Sequence, residues 1–118
     1  CDKVRWNLSW FPSSIQTIMC VGVPMNTFLP TRMLPPSLVT CRMANCGLCG
    51  SLDLTVLPPC VTGLWLTNNA FSGTVVLNHL PKNIREINLR HNSLTEVIIL
   101  QGSIEFPVEA LVVHQNGK

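Results

Sequence analysis

At 118 residues the chain has the length of one domain. Its charged residues are only 12% and its formal net charge is +2. Charged residues are about half as frequent as usual, and no basic or acidic run is present, which sets nucleic acid aside as a partner. No apolar run approaches the roughly 18 residues of a membrane helix, so no membrane span is expected, and Cys1-Asp2-Lys3 does not open a signal peptide.

Cys1–Trp10 reads as the back half of a repeating unit, with Val4, Trp6 and Leu8 in register with Gly73, Val75 and Leu77 further on. Trp6 and Leu8 are therefore expected to face the core. Asn7-Leu8-Ser9 spells a glycosylation sequon, a triplet common by chance. A first whole unit, 11–33, is marked by Phe11, Ile15, Ile18, Cys20, Val23 and Met25. Its end, Pro24–Leu34, carries irregular spacing and two prolines and reads as a loose loop. The unit 34–56 follows with Leu34, Leu38, Cys41, Met43, Cys46 and Leu48.

The clearest unit is 57–79, LPPCVTGLWLTNNAFSGTVVLNH, with Leu57, Val61, Leu64, Leu66, Asn69 and Phe71 at the same offsets. Unit 80–103 repeats them as Leu80, Ile84, Ile87, Leu89, Asn92 and Leu94, and within it Val97–Leu100 reads as a strand. The next step is longer by one residue, which suggests a bulge around Gly102-Ser103. Residues 104–118 then show Ile104, Val108, Leu111, Val113 and Asn116. Self-similarity at a period of 20–50 residues marks a stacked array. No linker interrupts it, so 1–118 reads as one solenoid. It opens in mid-unit and ends at Lys118, where other units carry Leu48, Phe71 or Leu94, and is expected to be a piece of a longer array.

The pattern has a simple physical basis. Leu64 and Leu66 alternate with Trp65, so on a strand the leucines share one face and Trp65 points to the other. Stacking the units sets these strands side by side in a parallel sheet. Asn69 is expected to end its strand and bond the backbone of the turn and of the neighbouring coil. Val75 and Leu77 point inward on the return path, and Pro58 and Pro59 turn the chain back. One unit alone buries too little to fold, so each needs neighbours.

The run from Val61 to Phe71, V-x-x-L-x-L-x-x-N-x-F, resembles the leucine-rich repeat, whose consensus accepts Cys at the Asn position, as at Cys46. The tail Ser72-Gly73-Thr74-Val75, followed by Leu-Pro, is similar to the LP-opening repeats of kinetoplastid protozoan proteins. The resemblance implies an α/β-class leucine-rich-repeat solenoid that is in practice mostly β. About five short parallel strands would form a curved sheet on the concave face. The convex side would be turns and short extended or 3-10 segments with little regular helix.

The resemblance also implies that partners are held on the open sheet face. The register places Met19, Arg42, Trp65, Asn88 and Val112 in its central row. Thr17, Thr40, Gly63, Glu86 and Ala110 lie on one side of it; Val21, Ala44, Thr67, Arg90 and His114 lie on the other. Candidate contact residues are Met19, Arg42, Trp65, Thr67, Glu86, Asn88, Arg90 and His114. Trp and Arg are the types enriched among interface hot spots. Gly63 leaves room beside Trp65. The alternative is that Trp65 only covers the sheet, packed over Arg42 or Asn88.

Cys41, Cys46 and Cys49 spell C-x4-C-x2-C, with Cys60 beyond, a spacing that taken alone suggests an iron–sulfur site or a redox pair. The repeat register gives a plainer account, since Cys41 stands where Leu64 stands and Cys46 takes the Asn slot. Buried single cysteines point to a reducing, intracellular compartment. No cofactor or metal is called for, and no catalytic set is legible: His79, His91 and His114 lie in separate units. The expected function is a non-enzymatic scaffold for protein partners, or a structural subunit of an assembly, with no small-molecule substrate. A secreted or surface recognition receptor and a metal or redox protein are the alternatives.

Overall fold

The computed structural model describes residues 12–99 and the strand Val112–Val113. The strands are β1 (Thr17–Val21), β2 (Thr40–Ala44), β3 (Cys49–Gly50), β4 (Gly63–Trp65), β5 (Ala70–Leu77), β6 (Glu86–Asn88), β7 (Ser93–Ile99) and β8 (Val112–Val113). Among the described residues the only helix is one 3-10 turn, Thr31–Met33. Every strand pairing is parallel, in two sheets of order β1-β2-β4-β6-β8 and β3-β5-β7. The chain is thus mostly β and winds as a solenoid of about 4 turns.

The first sheet is strictly periodic over four strands. Thr17, Thr40, Gly63 and Glu86 stand opposite one another, as do Ile18, Cys41, Leu64 and Ile87. Each of these strands is preceded by the same turn. The backbone N–H of Ile15, Leu38, Val61 and Ile84 donates to the carbonyl of Pro12, Pro35, Pro58 and Pro81, respectively. Pro36 and Pro59, next in their turns, bring the φ of about −65° that the second turn position prefers. Soon after each of these strands the chain enters the left-handed region at an equivalent position, Gly22, Asn45, Asn68 and His91 (φ 75, 55, 55 and 61°). Glycine and asparagine tolerate that conformation best.

The core lies between the sheets. In one coil Val61, Leu64, Leu66, Phe71, Val75 and Leu77 are buried, and Leu57 packs against them part-exposed. The coils are also tied by a ladder of side-chain bonds at the slot after the left-handed residue. Asn69 donates through Nδ2 to the carbonyls of Met43 (2.7 Å), Leu66 and Thr67, while its Oδ1 accepts the N–H of Cys46 and Leu48. Asn92 does the same one coil on, donating to Leu66 (2.9 Å), Leu89 and Arg90 and accepting from Phe71. Cys46, in the equivalent slot, donates its thiol to the carbonyls of Cys20 (3.2 Å) and Ala44 (3.3 Å).

The structure departs from the sequence reading in four places. The side opposite the first sheet is more than turns and short segments: β5 and β7 run 8 and 7 residues and pair parallel. Their register is out of step with the repeat: Ser72 faces Ser93 and Gly73 faces Leu94, two residues short of the 23-residue step, and from Thr74 opposite Glu96 onward the offset is one. A bulge lies in β7 at Thr95, which has no partner between the Gly73–Leu94 and Thr74–Glu96 pairs. The segment Pro24–Leu34 is not loose: Thr27, Leu29, Thr31 and Leu34 are buried, and the Thr31 hydroxyl donates to the Asp53 carbonyl at 2.7 Å.

The last difference is in β8, where Ile87 faces Val112 and not Leu111. Val112 therefore leaves the central row, and Val113 stands opposite Asn88 in its place. The expectations for Trp6, Leu8, Asn7, Gly102-Ser103, Leu111, His114 and Asn116 lie outside the described residues.

Candidate partner-binding face

The outer face of the first sheet is built by the residues between the inward ones. Met19, Arg42, Trp65 and Asn88 form one unbroken row across β1, β2, β4 and β6, through the pairs Met19–Arg42, Arg42–Trp65 and Trp65–Asn88. Met19 and Val21 are 65% and 59% exposed, large apolar groups left open to solvent at the β1 end. The β6 end is polar, with Glu86 and Asn88 half-buried and Arg90 exposed. The face thus changes from apolar to polar along the stacking direction.

Its centre is a stacked pair. The Arg42 guanidinium carbon lies 5.2 Å from the centre of the Trp65 ring, within the range of a cation–π contact. The indole also lies down over Gly63, two residues earlier on the same strand: a Cβ added there would clash with the six-membered ring. Glycine at position 63 is what allows Trp65 to lie against the sheet, so the space read beside Trp65 is filled by Trp65 itself. The covering role weighed for Trp65 is therefore realised in its contact with Arg42. The pair still presents its outer surface, since Trp65 is only half-buried and Arg42 is exposed.

Beside the pair is a shallow depression of about 360 Å³ lined by Val21, Arg42, Ala44, Trp65, Thr67 and Asn88. It gathers four of the expected contact residues: Arg42, Trp65, Thr67 and Asn88. Met19 ends the row on β1 without lining the depression. Glu86 and Arg90 share the face but also stand outside it. His114 lies outside the described residues. Val21 and Ala44 were legible as row members but not as walls, because only the lean of Trp65 decides which neighbours enclose a hollow. A second hollow of about 660 Å³ sits at the turn before β6, lined by Thr62, Lys82, Asn83, Ile84 and Arg85.

The cysteine run does not converge. Cys41 is fully buried, and that burial, with Cys20 and Cys46 nearby, pushes its thiol up to about 12. Cys20 is raised as well, chiefly by desolvation and then by Cys46. Cys46 is a free thiol bonded to backbone, whereas Cys49 is disulfide-bonded, so the two do not form a redox pair with each other. Cys60 is free and exposed on a turn. Among the described residues, no three histidine, cysteine, aspartate or glutamate side chains come close enough to share a metal.

His79 and His91 are both exposed turn residues with φ of 54 and 61°. No helix of the described residues is long and apolar enough to cross a membrane. No protein-family model, curated protein or solved structure matches the chain.

Proposed function

We propose that the chain is a leucine-rich-repeat-type solenoid and a non-enzymatic scaffold that holds a protein partner on the outer face of β1, β2, β4 and β6. The observation that carries this reading is the row Met19–Arg42–Trp65–Asn88. An aromatic ring and a guanidinium are stacked at its centre, and large apolar side chains stand open beside them. Trp, Arg and exposed apolar groups together are the composition of an interface core. Such a rigid row loses little side-chain freedom on binding, because Trp65 already lies against Gly63 and Arg42.

A photo-reactive amino acid at position 19 or 67 tests it in cells of the source organism. Partner adducts are expected from those two positions and not from position 74 on the opposite sheet. Adducts from position 74 alone would remove the first-sheet face from the account. Trp65→Ala is expected to leave folding intact and reduce the yield of adduct.

A secreted or surface recognition receptor is the second reading, and one observation favours it: Cys49 is disulfide-bonded. Disulfides persist in oxidising compartments and are rare in the cytosol. Counting thiols in the natural protein, denatured without reductant, separates the two. Six free thiols support the intracellular scaffold; fewer support the secreted form.

A further inference from the structure

The donors around the Trp65 depression share one property: none of them is spent. Among the described residues the Arg42 guanidinium contacts only the Trp65 ring and has no carboxylate partner. A guanidinium held by a ring alone keeps its N–H donors without an acceptor, and its fork of donors matches a carboxylate. The Thr67 hydroxyl donates to no described residue; only the Thr67 carbonyl is in use, accepting from the Asn45 N–H and from Asn69 Nδ2. Asn88 accepts the Arg90 backbone N–H on its Oδ1 at 3.2 Å, which leaves its Nδ2 as the free end. The three polar groups that line the hollow thus offer donors: a guanidinium, a hydroxyl and an amide N–H.

The remaining walls, Val21 and Ala44, are apolar, and Met19 continues that apolar surface along β1. Glu86 and Arg90 lie two residues to either side of Asn88 and both stand outside the hollow, so Arg42 is the charge within it. A group that fits must accept hydrogen bonds, carry negative charge and sit next to an aliphatic side chain.

We propose that the Trp65 depression receives the carboxylate of an aspartate or glutamate side chain in a protein partner, with an adjoining aliphatic residue of the same segment packed on Val21 and Met19. This rests on the scaffold reading above and names the chemistry of its partner. A single carboxylate matches the single guanidinium in the hollow, whereas a phosphate carries about twice the charge.

The test uses the whole chain, immobilised, and a phage library of random dodecapeptides. Recovered peptides are expected to be enriched in Asp or Glu beside Leu, Ile or Val. A synthetic, fluorescein-labelled copy of a recovered peptide should lose affinity roughly tenfold to a hundredfold when its acid is changed to the amide. Arg42→Gln in the protein should cause a similar loss. Binding should also weaken with salt. The thermal transition of the variant is recorded alongside, and Lys82→Gln, at the other hollow, should leave affinity unchanged.

Enrichment without an acidic residue, or equal binding by Arg42→Gln, overturns the carboxylate proposal. Tighter binding of a phosphoserine peptide than of its glutamate counterpart also overturns it, in favour of phosphate recognition. In each case adducts at positions 19 and 67 would leave the scaffold reading standing. Peptide binding unaffected by both Arg42→Gln and Trp65→Ala, together with adducts from position 74 alone, overturns both.

Discussion

Asn92→Ala is expected to lower the stability of the folded chain by about 2–3 kcal/mol, because one buried side chain bonds four backbone groups at once. Its Nδ2 serves the carbonyls of Leu66, Leu89 and Arg90, and its Oδ1 holds the Phe71 N–H, all from a buried position. Alanine takes the Asn92 acceptor from the Phe71 N–H and one bond from each carbonyl, although the Leu66 carbonyl keeps Asn69 and the Arg90 carbonyl keeps the Asn68 N–H. A buried group that loses its partner costs ~1–3 kcal/mol. Two of the four, on Leu66 and Phe71, belong to the preceding coil, so the loss falls on the joint between coils.

Asn92→Asp should be nearly as harmful: it keeps the volume and the acceptor but cannot donate, and it adds a buried charge. Cys46→Ala, in the matching slot, removes only weak thiol bonds to Cys20 and Ala44 and should cost less than about 1.5 kcal/mol. Urea titrations of the three variants give the comparison. An Asn92→Ala loss no larger than that of Cys46→Ala would mean that packing alone joins the coils.

Those two slots show how far the sequence carries. The inward residues were legible because Leu64 and Leu66, like Ile87 and Leu89, alternate on a two-residue period, and two sheets with apolar interiors leave them no other place. The Asn slot was legible for a different reason: a polar residue at a fixed offset inside an apolar repeat must bond backbone. The left-handed residue before it was missed, though its signal was present: Gly22, Asn45, Asn68 and His91 recur at the same step. The second sheet was also missed. Its strands are rich in β-branched residues, Thr74-Val75-Val76 and Thr95-Glu96-Val97-Ile98, but they pair one residue out of step with the repeat.

A repeat aligned by sequence shows which residues are equivalent, not which ones lie opposite. The bulge at Thr95 sits within the β5–β7 pairing, at a place that no repeat pattern marks.

The candidate face divides along the same line. Its row members follow from the strand register and were legible as far as Asn88. The hollow depends on the side-chain torsions of Trp65, and no periodic pattern encodes those. Gly63 was read as leaving room, whereas the indole occupies that room and lies within cation–π range of the Arg42 guanidinium.

Cys41 supplies the second large effect, and it is visible only against pH. In the unfolded chain its thiol should ionise near pH 8.5–9, the ordinary range. In the fold, desolvation in a fully buried site, with Cys20 and Cys46 adding to it, holds the thiol protonated up to about 12. A folded value above the unfolded one means the unfolded state loses its proton first. Stability is therefore unaffected below about pH 8.5. Above that it falls as pH rises, by roughly 1.4 kcal/mol per unit, until the folded thiol also ionises. From an ordinary value of 9.0 to about 12, the total is on the order of 4 kcal/mol.

Cys20 contributes in the same direction, because its thiol is also raised. The chain has no tyrosine, which removes one common alkaline titration. Cys41→Val isolates the effect, since Leu64 and Ile87 hold the matching inward positions in later coils and an aliphatic group is at home there. Urea midpoints for wild type and variant should run parallel to pH 8 and separate progressively from pH 9 to pH 10.5, with wild type the lower. Parallel curves throughout would mean that water reaches the Cys41 thiol. The strand face assigned to the core at β2 would then be open, and the alternation on which the candidate face depends would fail with it.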